Sequence, residues 1–313
     1  MGFTRDVANY ASSGTMEYIP ELFAMEMQKE YYLNTVFSEI TNTSYEGQIK
    51  KFGDKINVRV VPTITINDYD MTSDLTYETP GTASKEMVID QGKTWSFKLD
   101  DVNALQMDVP LMKEMAADAA RRLNIAIDTD VLAYMSAFGT SGRIAASNFG
   151  ATAGAITSSI DLGTTASAIS ITADNAVDYI VYCNQVLDEA NVPSDGRWIV
   201  LPSWYIARLK TGDLKRADIT GDASAVIRTG LVGMIDRTKV YQSNNLLEGT
   251  SGEAGNFNIL FGTKDATSFA MQLTKTETVR LESQFGDAMR GLAVYGRATL
   301  KNDAIGLLYA TAA

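Results

Sequence analysis

Histidine is absent from all 313 residues. That absence removes the Ser-His-Asp and Cys-His nucleophiles, imidazole zinc sites, and any proton shuttle whose unperturbed pKa lies near neutrality. The single cysteine, Cys183, rules out an intrachain disulfide and a thiolate metal cluster. It falls in the apolar run 179–186, which reads as helix, so the thiol is expected to be a small buried hydrophobe. No run of eighteen consecutive apolar residues occurs, and no segment has the make-up of a membrane-spanning helix. Residues 1–10 carry Arg5, Asp6 and Asn9 and lack the apolar centre of a secretory signal, so the chain is expected to stay in the cell that makes it until lysis. Basic charge is also scarce: 27 Lys and Arg against 38 Asp and Glu give a net charge of −11. The molecule as a whole repels a phosphate backbone, which argues against tight nucleic-acid binding. Confining nucleic acid behind a wall remains allowed, because confinement needs no attraction.

What is present is an ordinary globular composition, 45% hydrophobic and 21% charged, enough for one large core or two moderate ones. Residues 1–13 are polar and aperiodic and read as an arm. From Ile19 to about Ile40 a helix is expected, opened by Pro20 and Glu21 and carrying Leu22, Phe23, Met25, Met27, Tyr31 and Leu33. Ile56, Val58, Val60, Ile64 and Ile66 then alternate with polar residues, the period of a strand with one apolar face. Pro62 inside this run favours an edge or a bulge. A second alternating run places Trp95, Phe97 and Leu99 against Thr94, Ser96 and Lys98, with Met87 and Ile89 before an expected break at Gly92. The two runs are read as one long two-stranded ribbon joined by a polar connection, 67–85. Such a ribbon is marginal by itself, and its apolar face requires cover.

Asp108 and Pro110 open a helical run to about Ala137 with no further Pro or Gly. Its roughly 28 residues would span about 42 Å. A broad stripe of Leu111, Met112, Met115, Ala119, Leu123, Ala126, Ile127, Val131, Leu132 and Met135 marks its buried face. Residues 138–170 are rich in Gly, Ala, Ser and Thr and read as a loop or weakly structured insertion. Thr172 and Asp174 are expected to cap a helix from Ala176 to about Ala190, ended by Asn191 and Pro193. A buried strand at Trp198–Leu201, a helix at Trp204–Lys210, a polar loop through Asp222 and strands at Lys239–Gln242 and Phe257–Phe261 suggest a compact mixed α/β unit. Strands at 278–281, 291–300 and 305–310 are expected to form one antiparallel sheet on the long helix.

The candidate chemical motifs are weak. Gly92-Lys93-Thr94 ends like a phosphate-binding loop, but Met87 occupies the place of the required earlier glycine, and the triplet lies in a strand region. The carboxylate pairs Asp128/Asp130 and Asp100/Asp101 lack calcium-loop spacing and are expected on solvated faces or at helix caps. Asn42-Thr43-Ser44 matches a glycosylation acceptor that has no use without secretion. Tyr31, Tyr32, Trp95 and Phe97 could stack bases, yet no basic groove accompanies them, so packing is expected. No catalytic, cofactor-binding or metal site is predicted.

The order of elements nonetheless has a precedent. Arm, helix, ribbon, long helix, α/β unit and returning strands, with the segments Gly53-Asp54-Lys55-Ile56-Asn57-Val58, Trp198-Ile199-Val200-Leu201-Pro202, and Gly233-Met234-Ile235-Asp236 leading into Val240-Tyr241-Gln242-Ser243-Asn244, resemble the major capsid proteins of tailed bacteriophages. The resemblance implies an α+β, Hong Kong 97-like capsid fold. It implies an N-terminal arm and helix over 1–45, an extended β-hairpin E-loop over 46–100, a peripheral domain with a spine helix over 101–172 and 270–313, and an α/β axial domain over 173–269. The implied function is non-enzymatic self-assembly, as pentamers and hexamers, into an icosahedral shell around double-stranded DNA. The implied partners are a scaffolding protein, a portal and a decoration protein, with no membrane and no sequence-specific DNA binding. The implied location is the virion, after assembly in the host bacterial cytoplasm. Family members with a helical scaffolding segment carry it ahead of the arm; here the arm begins near Met1, which calls for a separate scaffold or a prior cleavage. A ribbon lysine joins a partner asparagine in some members, and Lys85 and Lys93 lie in this ribbon, but no such bond is predicted. Two alternatives stand beside this reading: the shell of an encapsulin-type nanocompartment, against which the polar arm argues, and a carboxylate-dependent enzyme.

Overall fold

The computed structural model describes residues 35–45, 55–60, 64–66, 68, 77–79, 83–100, 111–137, 142–212, 233–248, 255–282 and 285–312. The arm, most of the helix expected over 19–40, Pro62, Asp101, Asp108, Pro110 and the loop through Asp222 lie outside them. Helix α1 is the short turn Phe37–Ile40. The chain continues through the paired strands β1 (Lys55–Val60) and β2 (Ala83–Val88), then β3 (Gln91–Asp100) and the long helix α2 (Leu111–Met135). Next come β4 (Ile169–Ile171), α3 (Ala176–Glu189), β5 (Arg197–Leu201), α4 (Ser203–Thr211), β6 (Met234–Ile235), β7 (Thr238–Gln242) and β8 (Asn256–Thr263). Strands β9 (Thr267–Arg280), β10 (Gly286–Thr299) and β11 (Ile305–Ala312) close the chain.

A mixed six-stranded sheet in the order β4-β11-β8-β5-β7-β6 organises the body. Both of its faces are covered, so its strands are near-continuous apolar runs, and every residue of β5 is buried. Alternate residues then serve two cores. Trp198, Val200, Leu260 and Leu307 meet the C-terminal half of α2 at Ile127, Val131, Leu132 and Met135. Ile199, Leu201, Phe261 and Leu308 meet α3 and α4 at Ile180, Cys183, Leu187, Tyr205 and Leu209. Cys183 is buried as expected, which pushes its thiol pKa well up and leaves it inert.

The second sheet, β3-β10-β9, is antiparallel and three-stranded, and α2 lies against β3 and β10. This corrects the expected ribbon. Strand β1 pairs with β2, Ile56 standing opposite Met87, whereas β3 pairs with β10, Phe97 standing opposite Met289. The break falls at Ile89–Asp90, and Gly92 sits within β3. The expected C-terminal sheet is divided as well, since β9 and β10 join β3 while β11 lies between β4 and β8. Period-two alternation tells which way a side chain points and is silent about which strand lies alongside.

Two local expectations also change. Asn175, not Thr172 or Asp174, is the residue preceding α3; its Oδ1 accepts from the Thr172 amide at 2.8 Å and its Nδ2 donates to the Ser170 carbonyl at 3.1 Å. The segment 142–168 is irregular but firmly packed, with Ala153, Ile160 and Leu162 buried in the α3 core. Gly163 makes that packing possible: its φ is +78°, and a Cβ there would lie 2.5 Å from the Tyr309 carbonyl oxygen.

Candidate assembly interface

The ribbon β1–β2 is rooted at one end. Met87 is fully buried and Ile89 nearly so, packing with Ala270 and Ala298 while Ile56, Val294 and Leu300 close around them. Lys85 Nζ donates to the Leu300 carbonyl at 2.6 Å, tying the ribbon to the end of β10. At the other end no described residue covers the tip. Ile64, Ile66 and Tyr77 are 66%, 95% and 92% exposed, and the Thr65 amide donates to Glu78 Oε2 across the connection at 3.1 Å. Three large apolar side chains in water at one tip form a surface made for contact.

The three-stranded sheet offers a second such surface. No residue of β3 is fully buried; burial alternates between intermediate and exposed along all ten positions. Trp95 and Phe97 stack with ring centroids 5.7 Å apart, and the Trp95 indole lies over Gly291, its partner across the ladder. A Cβ at residue 291 would overlap that indole. Thr94, Trp95, Lys275, Glu277, Arg290 and Leu292 border an open groove of about 440 Å³ here. Lys275 and Arg290 both pair with Glu277 and hold its carboxyl below the usual range, although exposed pairs of this kind add little stability. Beyond the groove Phe285 is 82% exposed.

Further exposed apolar groups stand on firmly built loops around α3. The β6–β7 hairpin, which begins at Gly233-Met234-Ile235-Asp236, turns through Asp236 and Arg237, whose positive φ values of 43° and 64° suit a two-residue hairpin turn. Asn184 holds it: Nδ2 donates to the Asp236 carbonyl at 2.8 Å, and Oδ1 accepts from Thr238 Oγ1 at 2.7 Å. Met234 projects from it, exposed. Ile156 projects from the neighbouring loop, where Glu189 Oε2 accepts from the amides of Ile156 and Thr157 at 2.9 and 3.0 Å and Oε1 from Thr157 Oγ1 at 2.9 Å.

Those donors, led by the Thr157 and Ile156 amides, pull the Glu189 carboxyl from the usual 4.5 to about 2. A carboxylate depressed in the folded state stabilises it fully above the unfolded value, and that contribution disappears as pH falls toward the folded one. The amide resonances of Ile156 and Thr157 in the unassembled subunit should therefore hold their positions down to about pH 3.5. A titration midpoint near 4.5 in an amide-detected NMR series is the opposite result.

Of the carboxylates singled out as chemical candidates, Asp128 and Asp130 do structural tasks. Asp128, expected at a solvated face or a cap, is fully buried and accepts from the Val36 and Phe37 amides and from Asn245. Asp130 accepts from the Tyr295 hydroxyl at 2.7 Å and pairs with Arg297. Asp100 is exposed on β3. Among the described residues no three Asp, Glu, Cys or His side chains are grouped to hold a metal ion, and no helix is long and apolar enough to cross a membrane. Sequence reasoning missed Arg197 and Glu189. The one available signal was an arginine opening an otherwise apolar strand.

A mixed α+β body with a rooted ribbon and a long helix laid on a three-stranded sheet is the fold found in solved phage capsid structures. A solved structure from Mycobacterium phage Che8 is 24% identical, with a TM-score of 0.76 over 94% of this chain and 98% of that one. The capsid structure of the cyanophage P-SCSP1u matches at 16% identity and a TM-score of 0.71 over the whole of both chains. The mature capsid of bacteriophage PhiM1 matches at 14% and 0.66 over 98% of each. No protein-family model and no curated protein matches the sequence. The likeness is one of fold, the same chain path carried by largely different side chains.

Proposed function

We propose that the chain is the major capsid protein of a tailed double-stranded DNA bacteriophage, a structural subunit without catalytic activity that tiles with its own copies, as pentamers and hexamers, into an icosahedral shell. The observation that carries this reading is the likeness to phage capsid structures from one end of the chain to the other. In this reading residues 46–100 form the E-loop, with β3 at its base continuing into the neighbouring sheet. Helix α2 is the spine, 101–172 and 270–313 are peripheral, 173–269 are axial, and 1–45 are the arm and its helix. The exposed Ile64, Ile66, Tyr77 and Phe285 support it physically, because large obligate interfaces between copies supply the burial that a single copy lacks. Repeated heterologous contacts of this kind close into a symmetric shell.

The net charge of −11 suits a wall that confines DNA without condensing it. Scaffolding, portal and decoration proteins are the expected partners, with assembly in the host cytoplasm and residence in the virion. Expression with a scaffold from the same phage, followed by electron microscopy, should yield closed icosahedral particles. Persistent monomers under every condition would overturn the proposal, and mass spectrometry finding a packaged enzyme would transfer it to a nanocompartment shell.

A further inference from the structure

Asp128 is a fully buried carboxylate in the C-terminal half of α2 that the assembly surfaces do not use. Its Oδ1 accepts from two consecutive backbone amides, Val36 at 2.9 Å and Phe37 at 2.8 Å, and its Oδ2 accepts from Asn245 Nδ2 at 2.6 Å. Helix α1 receives no cap from its own preceding residue, so a side chain from a distant element takes that place. Just past the clamp, Ile40 and Thr41 are fully buried, the Asn42 amide donates to the Thr267 carbonyl at 2.9 Å, and the Phe269 amide donates to the Asn42 carbonyl at 3.0 Å.

The Asn245 side belongs to the turn after β7. There the Ser243 amide donates to the Leu201 carbonyl at 3.1 Å, and Asn244 Oδ1 accepts from the Ser203 amide at the start of α4 at 3.2 Å. One carboxylate thus joins three pieces far apart in sequence: the root of the N-terminal segment, the long helix, and the exit from the six-stranded sheet. A buried carboxylate is costly unless its lone pairs are satisfied, and here three donors converge on it. An apolar replacement would orphan all three, so the group specifies position more than it adds stability.

We propose that Asp128 is the positioning residue that fixes where the N-terminal segment joins the body, and that through Asn245 it sets that point relative to the six-stranded sheet. The inference concerns the single subunit and stands apart from the shell reading. Hydrogen exchange read by mass spectrometry on the full chain, wild type against Asp128→Ala, tests it. Peptides covering residues 36–42 should exchange at least about tenfold faster, while those of β5 and β8 keep their wild-type rates. Unchanged rates at 36–42 in a folded variant overturn the proposal, because the packing of Val36 and Ile40 alone would then hold the segment. Should Asp128→Ala not fold, Asp128→Asn keeps the volume and removes the charge. A regional acceleration at 36–42 in that variant supports the assignment, and a uniform acceleration across all peptides overturns it.

Discussion

Arg197→Ala should lose about 3–5 kcal/mol of subunit stability, the sum of leaving buried carbonyls unpaired at about 1–3 kcal/mol each and of the cavity the side chain leaves. The Arg197 side chain is completely buried at the start of β5, beneath the turn after α3. Its guanidinium donates to the carbonyls of Pro193 at 3.1 Å, Asn184 at 3.3 Å and Val192 at 2.7 Å, and to Asp188 Oδ1 at 2.6 Å. It therefore satisfies the Val192 and Pro193 carbonyls of the turn that follows α3, beyond the reach of the helical ladder. Removing it orphans those acceptors and opens a cavity, whereas Asp188, half exposed, can rehydrate and still reach Arg237 at 3.1 Å. Burial raises the Asp188 pKa, but the hydrogen bonds from Arg197 and Arg237 outweigh it and hold the carboxyl below the usual range.

Arg197→Met separates the two causes. It keeps most of the packing volume and none of the donors, so a loss close to that of alanine assigns the effect to the orphaned carbonyls. Urea unfolding of the unassembled subunit, followed by the fluorescence of the adjacent buried Trp198, measures both variants. A loss below about 1 kcal/mol for alanine would mean that water replaces the guanidinium without penalty.

The second large effect is on the proposed shell assembly and leaves the subunit alone. Ile66→Asp combined with Tyr77→Asp should abolish shells while shifting the subunit's stability by no more than about 0.5 kcal/mol, as surface substitutions do. Both side chains are more than nine-tenths exposed, so the single chain gains nothing from them. A large apolar anchor buried in an interface contributes about 2 kcal/mol or more, and in a shell every copy loses the same contact. Introducing a carboxylate adds the cost of burying a charge opposite an apolar neighbour. Sedimentation and electron microscopy of the double variant beside its thermal melt provide the two readouts. Normal shells from a variant with an unchanged melt would remove the ribbon tip from the assembly surface.

The ease of reading differed along the chain for a consistent reason. Helix α2 was legible because twenty-five residues without Pro or Gly carry a helical stripe, yet only its C-terminal half is deeply buried, and Ala126, expected on the stripe, is exposed. The segment 142–168 looked loose because small polar residues have weak propensities. Its order comes instead from the burial of Ala153, Ile160 and Leu162 against α3 and from Glu189, which reaches back to the Ile156 and Thr157 amides. Asp128 looked like a solvated helix carboxylate because its three donors, on Val36, Phe37 and Asn245, lie 92, 91 and 117 residues away in sequence.

By itself the sequence determined α2, α3, α4 and the strands β5, β7, β8, β10 and β11, and it excluded histidine and disulfide chemistry, since periodicity and composition are local properties of the chain. Only the tertiary structure decided that β3 belongs beside β10 and β11 beside β8, which buried charges are clamped, and which apolar groups are left in water. Partner choice depends on which distant surfaces can be buried together. A strand's alternation is satisfied equally well by any neighbour that covers its apolar face.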